Sequence, residues 1–212
     1  ISAFGADATR LFVLFAAPVE NELRWSETGT EGAIRFLRKV YALVWRWRER
    51  FSEPSQDFVP DSQEFSVAAR SLRRKTHQTI VRLTSDLEQL HLNTGVSALM
   101  ELLNEIIDFN ADPVQATAVD AFVMREALES LVLMLTPFSP HIAEEMWEGL
   151  GHKGGLIKAR WPQADAELAR REQLEIPIQV NGKLRSRLLA SPSVTEDELR
   201  AAALADDKVR GF

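Results

Sequence analysis

The sequence predicts a mainly α protein: a helical bundle followed by a small, truncated α+β domain. Three observations carry this reading. Between residues 31 and 150, apolar side chains recur at three- and four-residue spacing, the period of a buried helix face. Helix breakers punctuate that stretch at Pro60, Asp112-Pro113 and Pro137. Beyond Trp161-Pro162 the pattern changes to β-type runs around Asn181-Gly182, a strong hairpin signal. The expected domains are therefore 1–160, a connecting helix plus the bundle, and 161–212, a linker plus the α+β tail.

Each element has its own justification. Residues 7–17 (DATRLFVLFAA) form a short apolar segment stopped by Pro18; Leu11, Leu14 and Phe15 fit helical spacing, while the β-branched and aromatic content leaves strand open. Thr30 is expected to cap a helix over 31–51, with Phe36, Leu37, Val40, Val44, Trp47 and Phe51 on its core face. The next helix is expected over 64–90, with Leu72, Thr76, Ile80, Leu83, Leu87 and Leu90 as its stripe. Asn93 reads as the cap of a helix ending near Phe109, burying Val96, Leu99, Met100, Leu103 and Ile107. A further helix starts near 114–117 and reaches Leu135. Ser139-Pro140 opens the last bundle helix, which glycines 149 and 151 can end.

In the tail, a hairpin is expected over about 176–189 and a helix over about 196–204, opened by the capping box Thr195–Glu198. A strict two-residue turn pairs Val180 with Lys183 and Ile178 with Arg185, placing aliphatic residues opposite cations. A three-residue loop with Gly182 left-handed pairs Ile178 with Leu184 and leaves Lys183, Arg185 and Arg187 together; this register is favoured. One hairpin and one helix enclose little core, so this domain reads as truncated. The chain opens at Ile1 rather than Met, and excision from something longer is expected.

Composition removes several classes of function. With no Cys, disulfide frameworks, zinc ribbons and thiol nucleophiles are out. The four His residues include no i, i+4 pair, no glycine-rich phosphate loop or nucleophile elbow is present, and no apolar run is long enough to span a membrane. No catalytic, cofactor-binding or metal-ligating residue is expected in these residues. His141, beside Pro140 at a helix start, reads as a structural or capping histidine, and Glu144-Glu145 as solvated side chains.

The net charge of −6 disfavours a nucleic-acid partner on average, but the average conceals polarity. Residues 84–151 hold 12 acidic residues and one basic residue, whereas 32–82 hold 11 basic and five acidic ones. Arg35, Arg38, Lys39 and Arg46 lie largely on one helix face; Arg70, Arg73, Arg74 and His77 share another at i, i+3, i+4 and i+7. Lys183, Arg185 and Arg187 form a third cluster. Solvated helix faces are one account of these stripes, and phosphate binding is the other. Trp45 and Trp47 alternate with Arg46 and Arg48; Trp47 belongs to the core stripe, which favours packing over base stacking.

Several segments carry a family resemblance. FGADATRLFVLFAAPVENELRWSETGTEGAIRFLRKVY, RKTHQTIVRLTSDLEQLHLNTGVSALMELLN, TPFSPHIAEEMWEGLG and IQVNGKLRSRL follow one another along the chain. Together they resemble the class I aminoacyl-tRNA synthetases, and within them the bacterial-type leucyl branch. Leu92 and Gly95 depart from the F-N-T-A usual there. The P-F-x-P-H-x-x-E-E-x-W part is shared more widely within the class.

The resemblance implies an anticodon-binding-type bundle and the start of a small tRNA-binding C-terminal domain. It implies tRNA(Leu) and the upstream catalytic core of the same chain as partners, a cytoplasmic monomer with no membrane partner, and a parent enzyme that joins leucine to tRNA with ATP and Mg2+. The HIGH and KMSKS motifs of that family are not in these residues, so this part is expected to be inactive alone and to hold no cofactor. The candidate tRNA contacts are Arg35, Arg38, Lys39, Arg46, Arg70, Arg73, Arg74, Lys183, Arg185 and Arg187. Two other accounts compete. A protein-binding helical scaffold would show a fixed-period repeat, and none is visible. The equivalent domain of a valyl, isoleucyl or methionyl synthetase would not carry the hairpin–helix tail.

Overall fold

A computed structural model describes residues 3–18, 22, 24–52, 58–170, 174–180, 183–190 and 194–206. Eight α-helices and one two-stranded sheet lie among them. The chain divides into two compact units, Ile1–Ala169 and Arg170–Phe212. The division falls after the 160/161 boundary read from the sequence, because the 161–169 segment packs on the bundle. Trp161 Nε1 donates to Thr84 Oγ1 at 2.9 Å, and Gln78 Nε2 donates to the Ala169 carbonyl at 3.1 Å.

The first unit contains α1 (Ala6–Ala16), α2 (Glu27–Ser52), α3 (Val67–Glu88), α4 (Leu92–Phe109), α5 (Ala118–Leu135), α6 (Pro140–Gly149), a 3₁₀ turn (Leu156–Lys158) and the short α7 (Ala166–Ala169). The strand alternative for the first segment is lost: α1 is helical and buries Ala8, Leu11 and Phe12. All six residues of the expected α2 stripe are buried, because 26 helical residues keep them on one side.

The helix starts are where the structure corrects the sequence. α2 begins four residues early, at Glu27. Ser26 accepts from the Gly29 amide at 3.1 Å, and the Thr30 hydroxyl instead donates to the Ser26 carbonyl at 2.9 Å. α3 begins at Val67, capped by Ser66, whose hydroxyl accepts from Ala69 N at 3.0 Å. α4 has His91 at its N-cap, so Asn93 sits inside the first turn rather than capping it. α5 has a full capping box between Thr117 and Asp120.

The ends of the long stripes also differ. Leu90 is 59% exposed and takes φ 59°, the left-handed position at which α3 turns into α4. Ile107 is 39% exposed; Leu102 and Ile106 take the buried positions of that face. The core is otherwise continuous from Leu11 through Trp47, Leu72, Leu99, Leu131 and Phe138 to Trp147.

The second unit contains β1 (Leu174–Val180), β2 (Lys183–Ala190) and α8 (Glu196–Ala205). Thr195 and Glu198 form the expected capping box. The strands are antiparallel, but neither expected register holds throughout. Val180 pairs with Lys183 and Gln179 with Leu184; after an irregularity between Ile178 and Gln179, Ile178 pairs with Ser186 and Ile176 with Leu188. Arg185 is the extra residue of a bulge. This returns the aliphatic positions of β1 opposite Ser186 and Leu188 while keeping a two-residue connection, so a bulge achieves what a longer loop was expected to do. Asn181 and Gly182 themselves lie outside the described residues.

Candidate nucleic-acid interface

The three basic clusters meet different fates. On α2, Arg35, Arg38, Lys39 and Arg46 are all exposed, and at 100° per residue they span one side of the helix. They are exposed because the opposite side is taken by the core stripe. Arg35 lies 3.8 Å from Glu31, both side chains more than half exposed, a pair worth little in water. Arg46 is tied more firmly: its Nη2 donates to Asp112 Oδ2 at 3.1 Å. The backbone amide of Val114 and that guanidinium hold the Asp112 carboxyl below its ordinary value.

The α3 stripe is divided: Arg70 stays exposed, while Arg73 and His77 are turned inward. Arg73 forms a two-pronged pair with Glu126 of α5, Nε to Oε2 at 2.7 Å and Nη2 to Oε1 at 3.0 Å. Its guanidinium also lies 4.5 Å above the Phe65 ring and 5.5 Å from that of Phe122. Its side chain is only 16% exposed. Burial pushes the Glu126 carboxyl up, but the hydrogen bonds from His77 and Arg73 and the Arg73 charge outweigh it and hold the group below the usual carboxylate range.

His77 completes this cluster. The backbone N–H of Asp165 donates to His77 Nδ1 at 3.0 Å, so Nε2 carries the ring proton and faces Glu126 Oε1 at 3.3 Å. Arg73 and His77 therefore fasten α3, α5 and the 161–169 segment together. The acidic partner that buries Arg73 stands 53 positions away in the sequence. Arg70 donates through Nη1 to the Phe65 carbonyl at 2.8 Å while remaining exposed, and Arg74 is half-buried and engaged. Lys75 and Arg82 both reach Glu101, at 2.6 and 3.2 Å.

Neither tryptophan offers a free stacking platform. Trp47 is fully buried. Trp45 stacks on Tyr41 at 4.2 Å between centroids, with the Arg48 guanidinium 5.6 Å from its ring. In the second unit Arg185 is half-buried and engaged, and the side chains of Lys183 and Arg187 lie outside the described residues. By register, Lys183 stands across from Val180 and Arg187 across from Pro177.

His141 serves the bundle structurally. Asp7 of α1 accepts from His141 Nδ1 at 2.8 Å and from the Ile142 amide at 2.6 Å, so a carboxylate from another helix stabilises the start of α6. Ser139, at the N-cap, makes no side-chain cap bond. Glu144 holds the Leu156 amide through both oxygens at 3.2 and 3.0 Å, and Glu145 accepts from the Tyr41 hydroxyl at 3.0 Å. The reading of this pair as solvated holds for the exposed Glu145 and is corrected for the half-buried Glu144. Among the described residues no group of three or more His, Asp or Glu side chains could hold a metal ion, and no helix is long and apolar enough to cross a membrane.

The geometry leaves an exposed cationic side on α2 with few acids interleaved. Comparison with known proteins places the chain among proteins of one family. Residues 69–200 match the family described as the anticodon-binding domain of tRNA ligase. Leucine–tRNA ligases from Geobacter sp. (strain M21) and Hahella chejuensis are 45% and 42% identical over the whole of this chain. The chain spans about a quarter of their length (25% and 24%). A solved LeuRS–tRNA–LeuAMS ternary complex from Agrobacterium radiobacter K84 contains a similar fold, with a TM-score of 0.78 and 26% identity over 99% of this chain and 26% of that one.

Proposed function

Since the chain belongs to the tRNA-ligase anticodon-binding domain family, we propose that it is the tRNA-docking part of a leucine–tRNA ligase. The end-to-end similarity to leucine–tRNA ligases carries this reading. The parent would join leucine to tRNA(Leu) with ATP and Mg2+ in the cytoplasm, as a monomer. This part would neither activate leucine nor edit; its partner besides tRNA would be the catalytic core of the same chain. The two modules of the proposal are a docking bundle and a C-terminal tRNA-binding domain.

The mechanism is electrostatic. Arg35, Arg38 and Lys39 face solvent on α2, where cations gain most by meeting the sugar–phosphate backbone and releasing its counterions. Arg46 would join them by exchanging Asp112 for a phosphate, and Arg70 would add a contact from the exposed start of α3. Arg74, Lys183, Arg185 and Arg187 remain proposed contacts of lesser weight; Arg73 does not. Such contacts fix the position of the RNA without reading its sequence, so that its acceptor end reaches the parent's active site.

A filter-binding titration of the chain with leucine tRNA at several salt concentrations tests this. Affinity should fall with salt at a log–log slope of about −0.7 to −0.9 per contacted phosphate. Absence of binding at low salt would defeat the proposal.

A further inference from the structure

A groove beside the α2 cations lies between α1, α2 and α4. Its floor is Gly32, Ala33 and Phe36 of α2 with Leu103 of α4, and Phe15 of α1 forms a wall that is 36% exposed. Arg35, Lys39 and Asn104 also line it. Its volume is about 410 Å3, within the range of sites that accept small organic groups. Gly32 contributes no side chain to the groove, and a Cβ there would meet only Arg35 Nη2, at 3.7 Å.

Four chemical features converge on this groove, and one kind of occupant uses all of them. An apolar floor and an exposed aromatic ring suit the flat face of a base, which stacks on aromatic side chains regardless of its identity. The Asn104 amide offers a donor and an acceptor to a base edge. Two cations one helical turn apart suit the phosphates on either side of that base. An apolar peptide side chain would use the floor and leave the cations idle, and a free anion would use the cations and leave the ring idle. The acids of α4 nearest α3 are turned to that helix: Glu101 to Lys75 and Arg82, and Glu105 to the Ser71 hydroxyl at 2.7 Å. RNA presents such bases where its strand is single and unstacked.

We infer that this groove receives one unstacked nucleobase of the docked tRNA, with its flanking phosphates on Arg35 and Lys39. The inference rests on the tRNA-docking reading above.

Gly32→Leu fills the groove from an open position. With the chain and leucine tRNA at fixed low salt, it should weaken binding about tenfold, the scale of one lost stacked base, while the salt slope stays that of the wild type. Lys39→Gln should instead make the slope shallower by about 0.7 to 0.9, the value of one phosphate. Chemical probing of the Watson–Crick edges should show one single-stranded base protected by the wild-type chain and reactive again with Gly32→Leu. Phe15→Ala, which adds no atoms, should move affinity and protection in the same direction. Thermal unfolding of each variant separates lost binding from lost folding. If the wild type binds but both variants bind as tightly, with unchanged base reactivity, the groove proposal fails and the docking reading stands. If the wild type does not bind at low salt, the docking reading fails and takes this inference with it.

Discussion

Replacing Arg73 with Ala separates a structural role for this residue from an RNA-binding one. The side chain makes two charge-assisted hydrogen bonds to Glu126, at 2.7 and 3.0 Å, and lies over two phenylalanine rings. Its removal leaves a carboxylate that is 21% exposed with only His77 as a described partner. Breaking a buried pair by removing one member costs about 3–5 kcal/mol. Both groups here retain some access to water, so about 2–3 kcal/mol is the expected loss. For a unit of this size that lowers the melting temperature by about 5–10 °C. Urea unfolding followed by far-UV circular dichroism should show a lower midpoint with an unchanged slope. The tRNA affinity of the folded variant should stay within twofold of the wild type. Stability unchanged within about 0.5 kcal/mol, a shift no larger than that of an ordinary surface substitution, together with weakened tRNA binding, would refute the reasoning and restore Arg73 to the interface.

The same cluster gives a pH dependence. The Glu126 carboxyl is held below its reference value of 4.5 in the folded protein. Its contribution to stability is therefore present above that reference and is lost as pH falls through the lower folded value, so the difference between wild type and Glu126→Gln should shrink in acid unfolding titrations. Gly32→Ala should stabilise by about 0.5–1 kcal/mol, since a helical Gly is replaced where only Arg35 Nη2 lies within 4 Å. Gly29→Ala should destabilise by about 1–3 kcal/mol, because its Cβ would meet the buried Phe12 ring at 2.5 Å; thermal melts decide both signs. Thr117→Ala should cost about 1 kcal/mol through loss of the α5 capping box, read from the urea midpoint.

The sequence made the middle of each helix legible and its edges less so. The α2 stripe repeats long enough to leave one geometric solution, and all six residues are buried as expected. Ser26 and Thr30 are both good caps, and sequence alone does not say which hydroxyl reaches the first turn. Leu90 and Ile107 continue their stripes in period, but Leu90 lies beyond Glu88, where α3 ends, and both side chains are exposed. The α3 cations share a face as read; what faces Arg73 and His77 is Glu126, placed there by the packing of α5, and no local pattern announces that. The hairpin was legible from alternation and Asn181-Gly182, but its bulge at Arg185 depends on reconciling turn length with the aliphatic face.

The exposed side of α2 is the centre of this account, and the salt response of a variant with that side neutralised tests it most directly. Arg35→Gln, Arg38→Gln and Lys39→Gln together should leave the fold intact, because all three side chains are exposed. Against leucine tRNA, the log–log salt slope should become shallower by about 2 to 3, the effect of three lost phosphate contacts. A folded triple variant with the wild-type slope and affinity would contradict the assignment of this face to RNA.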